Sequence, residues 1–227
     1  MTQTALFACR GVHDDRWQLG EPPDGRAWTL IGWQQKPPSL DAGVPHDVAA
    51  VLAAALSAVA RVTFPSSSEQ ADAASDWSPR DRHDVRLLSS GGVTASIRAA
   101  LKGTPRDMVL VSTRNPDAIV RLFDDAAYPW WMQGTFSLLS APDGRPPDLE
   151  WTQAVALLSG PSPSEMESLL AAVHGLLKPG VDGDVAGLLM QRPDLDARLL
   201  EALGRECGIR AIGWAVVSED ELVDRLA

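Results

Sequence analysis

Hydrophobic positions along the chain fall into two rhythms. Short apolar runs at Ala5 to Cys9 and Ala27 to Trp33 predict strands, separated by a polar Pro-Gly segment through Gly25, and Lys36-Pro37-Pro38 stops the second. From Pro45 the spacing changes: Val48, Val51, Leu52, Ala55, Leu56, Val59 and Val62 recur every three or four residues, which predicts a helix with one buried stripe and Asp47 capping its first turn. Pro65 to His83 has no sustained period and is rich in Ser, Asp and Ala, the composition of a linker or mobile loop that Trp77 pins to the body.

Beyond it the pattern alternates. Val85 to Ser89 predicts a strand, Val93 to Lys102 a helix stopped by Gly103, Met108 to Ser112 a buried strand, and Pro116 to Ala127 a helix. Asn115 has the right side chain for the cap of that helix, Pro116 suits its first position, and Ile119, Leu122, Phe123 and Ala126 form its apolar face. Thr135 to Ser140 and Gln153 to Leu158 then predict two strands that a Pro-Asp-Gly-Arg-Pro-Pro loop closes into an antiparallel pair. Ser162 with Glu165 and Ser164 with Glu167 form overlapping capping boxes ahead of Met166, Leu169, Leu170, Val173, Leu176 and Leu177, one helix ended by Lys178-Pro179-Gly180. A helix from Asp194 to Glu206, a strand from Ile209 to Val217 and a terminal helix after Ser218 complete the reading.

The fold class that follows is α/β: a mixed β-sheet covered by helices in a three-layer sandwich, with a β-α-β-α core followed by a hairpin and C-terminal helices. Residues 1–64 are read as part of the same body, 65–84 as the linker and 85–227 as the main α/β region. No internal repeat or heptad is apparent in the residues.

Charge narrows the function classes. A formal net charge of −10 without any basic run argues against a nucleic-acid reader, and it favours encounter with a basic protein. Only two cysteines occur, Cys9 and Cys207, so there is no disulfide framework and no cysteine metal signature, which points to a reducing cytoplasm. The N-terminal residues lack the charged and apolar regions of a secretory signal, and the alanine-rich tract from Val48 to Val62 is too short to span a membrane. The abundance of Ala, Arg, Asp, Gly and Pro is that of a GC-rich bacterial coding sequence.

Candidate chemistry is sparse. Ser89-Ser90-Gly91-Gly92 joins a predicted strand to a predicted helix, where backbone N–H groups cradle anions, but it lacks the Lys-Ser/Thr of a P-loop and the spacing of a dinucleotide fingerprint. Ser112-Thr113-Arg114-Asn115 and Ser159-Gly160-Pro161-Ser162 occupy similar junctions, and parallel strands would converge all three on one sheet edge. A turn with a helix cap is the simpler account of each. There is no Gly-x-Ser-x-Gly elbow, and the isolated histidines His13, His46, His83 and His174 do not indicate a triad; His174 falls within a predicted helix. Asp182-Gly183-Asp184 with Gly187 resembles the opening of a calcium loop, but Ala186 and Pro193 replace later ligands, so neither a metal nor a cofactor is expected.

The densest feature is Tyr128-Pro129-Trp130-Trp131-Met132, with the only tyrosine and two of the eight tryptophans, preceded by Asp124 and Asp125. Rings filling the space between Phe123 and the sheet account for it most simply. Adjacent residues of an extended segment face opposite ways, however, so one ring is exposed unless both faces are covered. An exposed side chain of Tyr128, Trp130, Trp131 or Met132 beside Asp124 and Asp125 makes an apolar anchor with a charged rim. The expected function is therefore a non-enzymatic cytoplasmic protein-binding protein, for example a bacterial immunity protein, antitoxin or secretion adaptor engaging a basic partner. Two alternatives stand beside it: an enzyme for a small molecule or phosphate ligand using Ser89, Ser90, Gly91 and Gly92, and a structural subunit whose Val48 to Val62 helix packs on another copy.

Overall fold

A computed structural model of the chain describes residues 3–13, 15–36, 44–67, 84–89, 107–124, 135–179 and 185–226. The strands are β1 (Gln3–Val12), β2 (Trp28–Lys36), β3 (Arg61–Ser67), β4 (Asp84–Ser89), β5 (Asp107–Thr113), β6 (Ser137–Ser140), β7 (Gly175–Pro179), β8 (Val185–Met190) and β9 (Gly213–Val216). The helices are α1 (His46–Val59), α2 (Pro116–Asp124), α3 (Trp151–Ser159), α4 (Pro163–Ala172), α5 (Pro193–Ile209) and α6 (Glu219–Leu226). All nine strands form one sheet in the order β4-β5-β3-β6-β7-β8-β2-β1-β9. Every neighbouring pair is antiparallel except β1 with β9, so the sheet is mixed.

Strand alternation divides the core into two layers. Leu6, Ala8, Ile31, Trp33, Val62, Phe64, Val111, Leu139, Leu177, Ala186 and Leu188 face one side, where they meet the buried stripes of α1, α2 and α5. Their neighbours Phe7, Cys9, Trp28, Leu30, Leu110, Leu138, Leu176 and Leu189 face the other, against α3, α4 and α6. The three-layer sandwich predicted from the sequence is thus what forms.

A motif invisible in the residues repeats three times: an antiparallel pair of consecutive strands, a crossover helix and a strand parallel to the second of the pair. It runs β1-β2-α1-β3, β4-β5-α2-β6 and β7-β8-α5-β9. All three crossovers turn the same way across the sheet, and the single handedness of such connections places α1, α2 and α5 on one face.

Several local expectations hold for the reasons given. Asn115 Oδ1 accepts from the Asp117 N–H at 2.9 Å, capping α2. Glu165 and Ser162 close a capping box at the start of α4, with the Glu165 carboxylate accepting from Ser162 N at 2.8 Å. Asp47 differs: it sits inside the first turn of α1, where one oxygen accepts from Val48 N at 3.0 Å and the other from the Thr4 hydroxyl of β1.

Others are corrected. Residues 153 to 158 belong to helix α3, whose start is fixed by Gln153 Oε1 accepting from Glu150 N at 2.9 Å, so β6 pairs instead with β3 and with β7, which follows it only after α3 and α4. The helix expected to run through Leu177 stops at Ala172; Val173 turns extended, and Leu176 and Leu177 join β7 between β6 and β8. His174 accordingly lies between a helix and a strand. Strand β8 has no counterpart in the sequence reading, and it contains Gly187, the glycine taken with Asp182-Gly183-Asp184 as a calcium-loop opening. The expected helix from Val93 to Lys102 lies outside the described residues, as do Asp182 to Asp184.

Candidate functional site

The Ser/Gly junctions do not gather. Ser89 ends β4, while Ser90, Gly91 and Gly92 lie outside the described residues. Because β4 and β5 are antiparallel, Ser89 pairs with Asp107 and Ser112 with Asp84, which sends the exits of β4 and β5 to opposite ends of the sheet. The second junction is spent on structure: Ser112 shares a buried hydrogen bond of 2.7 Å with Thr63, and the Asn115 N–H donates to Thr113 Oγ1 at 2.9 Å. Arg114 binds Asp143 at 2.9 Å and donates to the Ser57 carbonyl of α1. The third junction links α3 to α4, not a strand to a helix.

The aromatic segment is not placed. Asp124 ends α2, and Asp125, Tyr128, Trp130, Trp131 and Met132 lie outside the described residues.

Both thiols are buried and free. Burial raises the Cys9 pKa, with Glu219 adding to it, and burial pushes Cys207 up to about 11 against an opposing pull from Arg210. Neither is an activated nucleophile. Among the described residues no group of His, Cys, Asp and Glu is arranged to hold a metal ion. A cleft of about 100 Å³ between α3 and α4, lined by Thr152, Gln153, Ala156, Glu165, Ser168 and Leu169, is small beside the hundreds of Å³ of usual ligand sites. The Glu165 carboxyl there is held below its ordinary pKa by the hydrogen bonds from Ser162.

Compared with known proteins, the chain matches no family model, no curated protein and no solved structure. Its own geometry therefore carries the functional argument.

That geometry singles out the β9 side of the sheet. Among the described residues strand β9 is outermost and pairs only with β1, with Leu6 beside Trp214 and Ala8 beside Val216. The Val217 N–H donates to the Ala8 carbonyl at 2.8 Å, which sets the alternation: Gly213, Ala215 and Val217 turn their backbone toward β1. Trp214 and Val216 consequently present N–H and C=O groups to the open edge.

The side chains of the same two residues point to the α5 layer. Trp214 rests on the backbone of α5 at Gly204, where a Cβ would come within 2.9 Å of the indole nitrogen. Val216 is 61% exposed, and Ile209 at the end of α5 is 70% exposed; these are the exposed large hydrophobic side chains among the described residues. Proteins that guard an edge strand place Pro or Lys on it, and the sequence Gly-Trp-Ala-Val has neither.

Acidic groups flank the other layer. Helix α6 begins directly after β9 with Glu219, Asp220 and Glu221, and Asp224 follows one turn later. Leu222 is fully buried against Gly32 of β2, which docks the helix, while Trp17 Nε1 donates to Glu219 at 3.4 Å. Arg225 is committed to Glu221 and stacks 4.7 Å over the Phe7 ring, so it does not neutralise Asp220 or Asp224, both exposed.

Sequence reasoning passed over this surface. The strand expected from Ile209 to Val217 shortens to Gly213–Val216, with Ile209 ending α5 instead, and its place at the end of the strand order exposes it.

Proposed function

We propose that this chain is a protein-binding protein that engages a basic partner through the surface formed by β9, the end of α5 and the start of α6. An immunity protein, an antitoxin and a secretion adaptor are concrete forms of such a binder. The observation that carries the reading is that exposed Val216 ends the outermost strand β9 two residues before the acidic first turn of α6, while exposed Ile209 ends α5 just before the same strand. An apolar centre with a charged rim is the anatomy of a protein interface, and the rim charge governs partner choice and encounter rate more than affinity.

Membrane insertion is not part of the reading: no described helix is long and apolar enough to cross a bilayer. The net charge of −10 opposes nucleic acid as the partner.

The test is a pull-down from the native cells with wild type and an Asp220→Lys/Asp224→Lys variant side by side. The expected result is a basic protein retained by wild type, released near 1 M salt where the screening length falls to about 3 Å, and not retained by the variant. Equal retention by both proteins would move the interface elsewhere.

A further inference from the structure

We infer that the partner contributes an extended segment that adds to the sheet as a strand along β9, with apolar residues alternating with Lys or Arg. This rests on the reading of the β9–α6 side as the interface and specifies how the partner is held. Trp214 and Val216 each leave one N–H and one C=O on the open edge, and no side chain of the described residues bonds to either. A strand laid against them completes the hydrogen bonding that β1 supplies on the other side.

The two faces of an added strand would meet different surroundings. Side chains on the α5 face lie beside exposed Val216 and Trp214, and exposed Ile209 ends α5 just before the strand. The opposite face of the sheet is the one that α6 covers at β1 and β2, and its acidic first turn, Glu219 to Glu221, follows the end of β9 after two residues. Alternation along a strand is two residues, so a segment that suits both faces alternates apolar and cationic residues. A second copy of this chain would offer the same unprotected edge. It would also bring another net charge of −10 and place two acidic α6 helices beside one interface, which favours a basic segment over self-pairing.

The experiment uses the full chain labelled for NMR and three synthetic peptides: a Val/Lys alternating hexapeptide, a Val/Glu alternating hexapeptide, and the Val/Lys peptide N-methylated at alternate amides. The Val/Lys peptide is expected to slow hydrogen exchange at the Trp214 and Val216 amides. N-methylation, or Val216→Pro in the protein, is expected to weaken it by about tenfold or more, equivalent to ~1.4 kcal/mol. Pro is tolerated at 216 because that N–H faces the open edge, and Val216→Thr, which keeps the N–H, retains binding.

Shifts confined to Asp220 and Asp224, with Trp214 and Val216 exchanging as in the free protein, leave the acidic interface standing and overturn strand addition. No shift with any peptide overturns both. Protection of the two amides without peptide, rising with protein concentration, overturns the basic segment in favour of a second copy. Because the N-methylated peptide tests the same hydrogen bonds, the result does not depend on Val216→Pro folding.

Discussion

Gly187 sits in mid-strand on β8, where a glycine ordinarily weakens a strand, and replacing it by Ala would then stabilise the fold by roughly 0.5–1 kcal/mol through lost backbone freedom in the unfolded chain. The structure predicts the opposite sign. A Cβ at 187 meets Leu19 Cδ1 at 2.5 Å, Leu19 Cδ2 at 2.8 Å and Trp28 Cε3 at 3.1 Å. Both neighbours are fully buried, and the Trp28 indole is tethered by its N–H to the Gly20 carbonyl at 2.9 Å. Overpacking of this kind costs about 1–3 kcal/mol, which outweighs the backbone gain. Gly187→Ala should therefore lower stability by ~1–2 kcal/mol, or Tm by roughly 2–8 °C for a chain of this size. A double-mutant cycle in urea sharpens the test. Leu19→Ala alone leaves a cavity costing about 2–5 kcal/mol, but in its presence Gly187→Ala should be harmless or beneficial, because the new methyl enters the space vacated. A neutral or stabilising Gly187→Ala in the wild-type background, or strict additivity with Leu19→Ala, would refute the packing described around β8.

Three further outcomes follow from other sites. Cys207 has its pKa raised from 9.0 to about 11 in the folded state, so its contribution to stability is complete below pH 9 and is lost as the pH climbs toward 11; Cys207→Ala should show a shallower decline over that window in urea titrations. Both cysteines should resist a water-soluble thiol reagent in the native protein and react on unfolding, and fast labelling of either at neutral pH would contradict their burial. Ser162→Ala should cost about 1 kcal/mol by uncapping α4. Since Ser162 depresses the Glu165 pKa, that difference from wild type should narrow as pH falls through the carboxylate range, and a constant gap from pH 7 to 3 would disprove the coupling.

Much of the fold was legible because its signals are local. Asn115 before Pro116 and Ser162 three residues before Glu165 identify helix starts through hydrogen bonds closed within one turn. The continuous burial of β1 and β2, covered on both faces, was equally plain in their apolar runs. What escaped depends on partners distant in sequence. Gln153 to Leu158 and Leu176 to Leu177 are apolar stretches too short for periodicity to separate helix from strand, and tertiary neighbours decided them in opposite directions. Strand β8 was hidden by Gly187, whose missing side chain is required by Leu19 and Trp28, residues of quite different segments. The parallel arrangement that would have assembled the Ser/Gly junctions is replaced by antiparallel pairing of β4 with β5. The exposure of Val216 is a property of strand order, which no window of sequence contains.

The pairing of β1 with β9 joins the two ends of the sequence, and it has a consequence for synthesis. As the chain leaves the ribosome, β1 can fold back on β2 at once, but its second edge, from Ala5 to Ala8, must wait for Gly213 to Val216. At translation rates of about 5–20 residues per second, the interval is roughly 10–40 s. Throughout it Leu6, Phe7 and Ala8 stand on an unfinished border of the sheet, and a chaperone that recognises extended apolar segments would find its target there before any partner of the finished protein does.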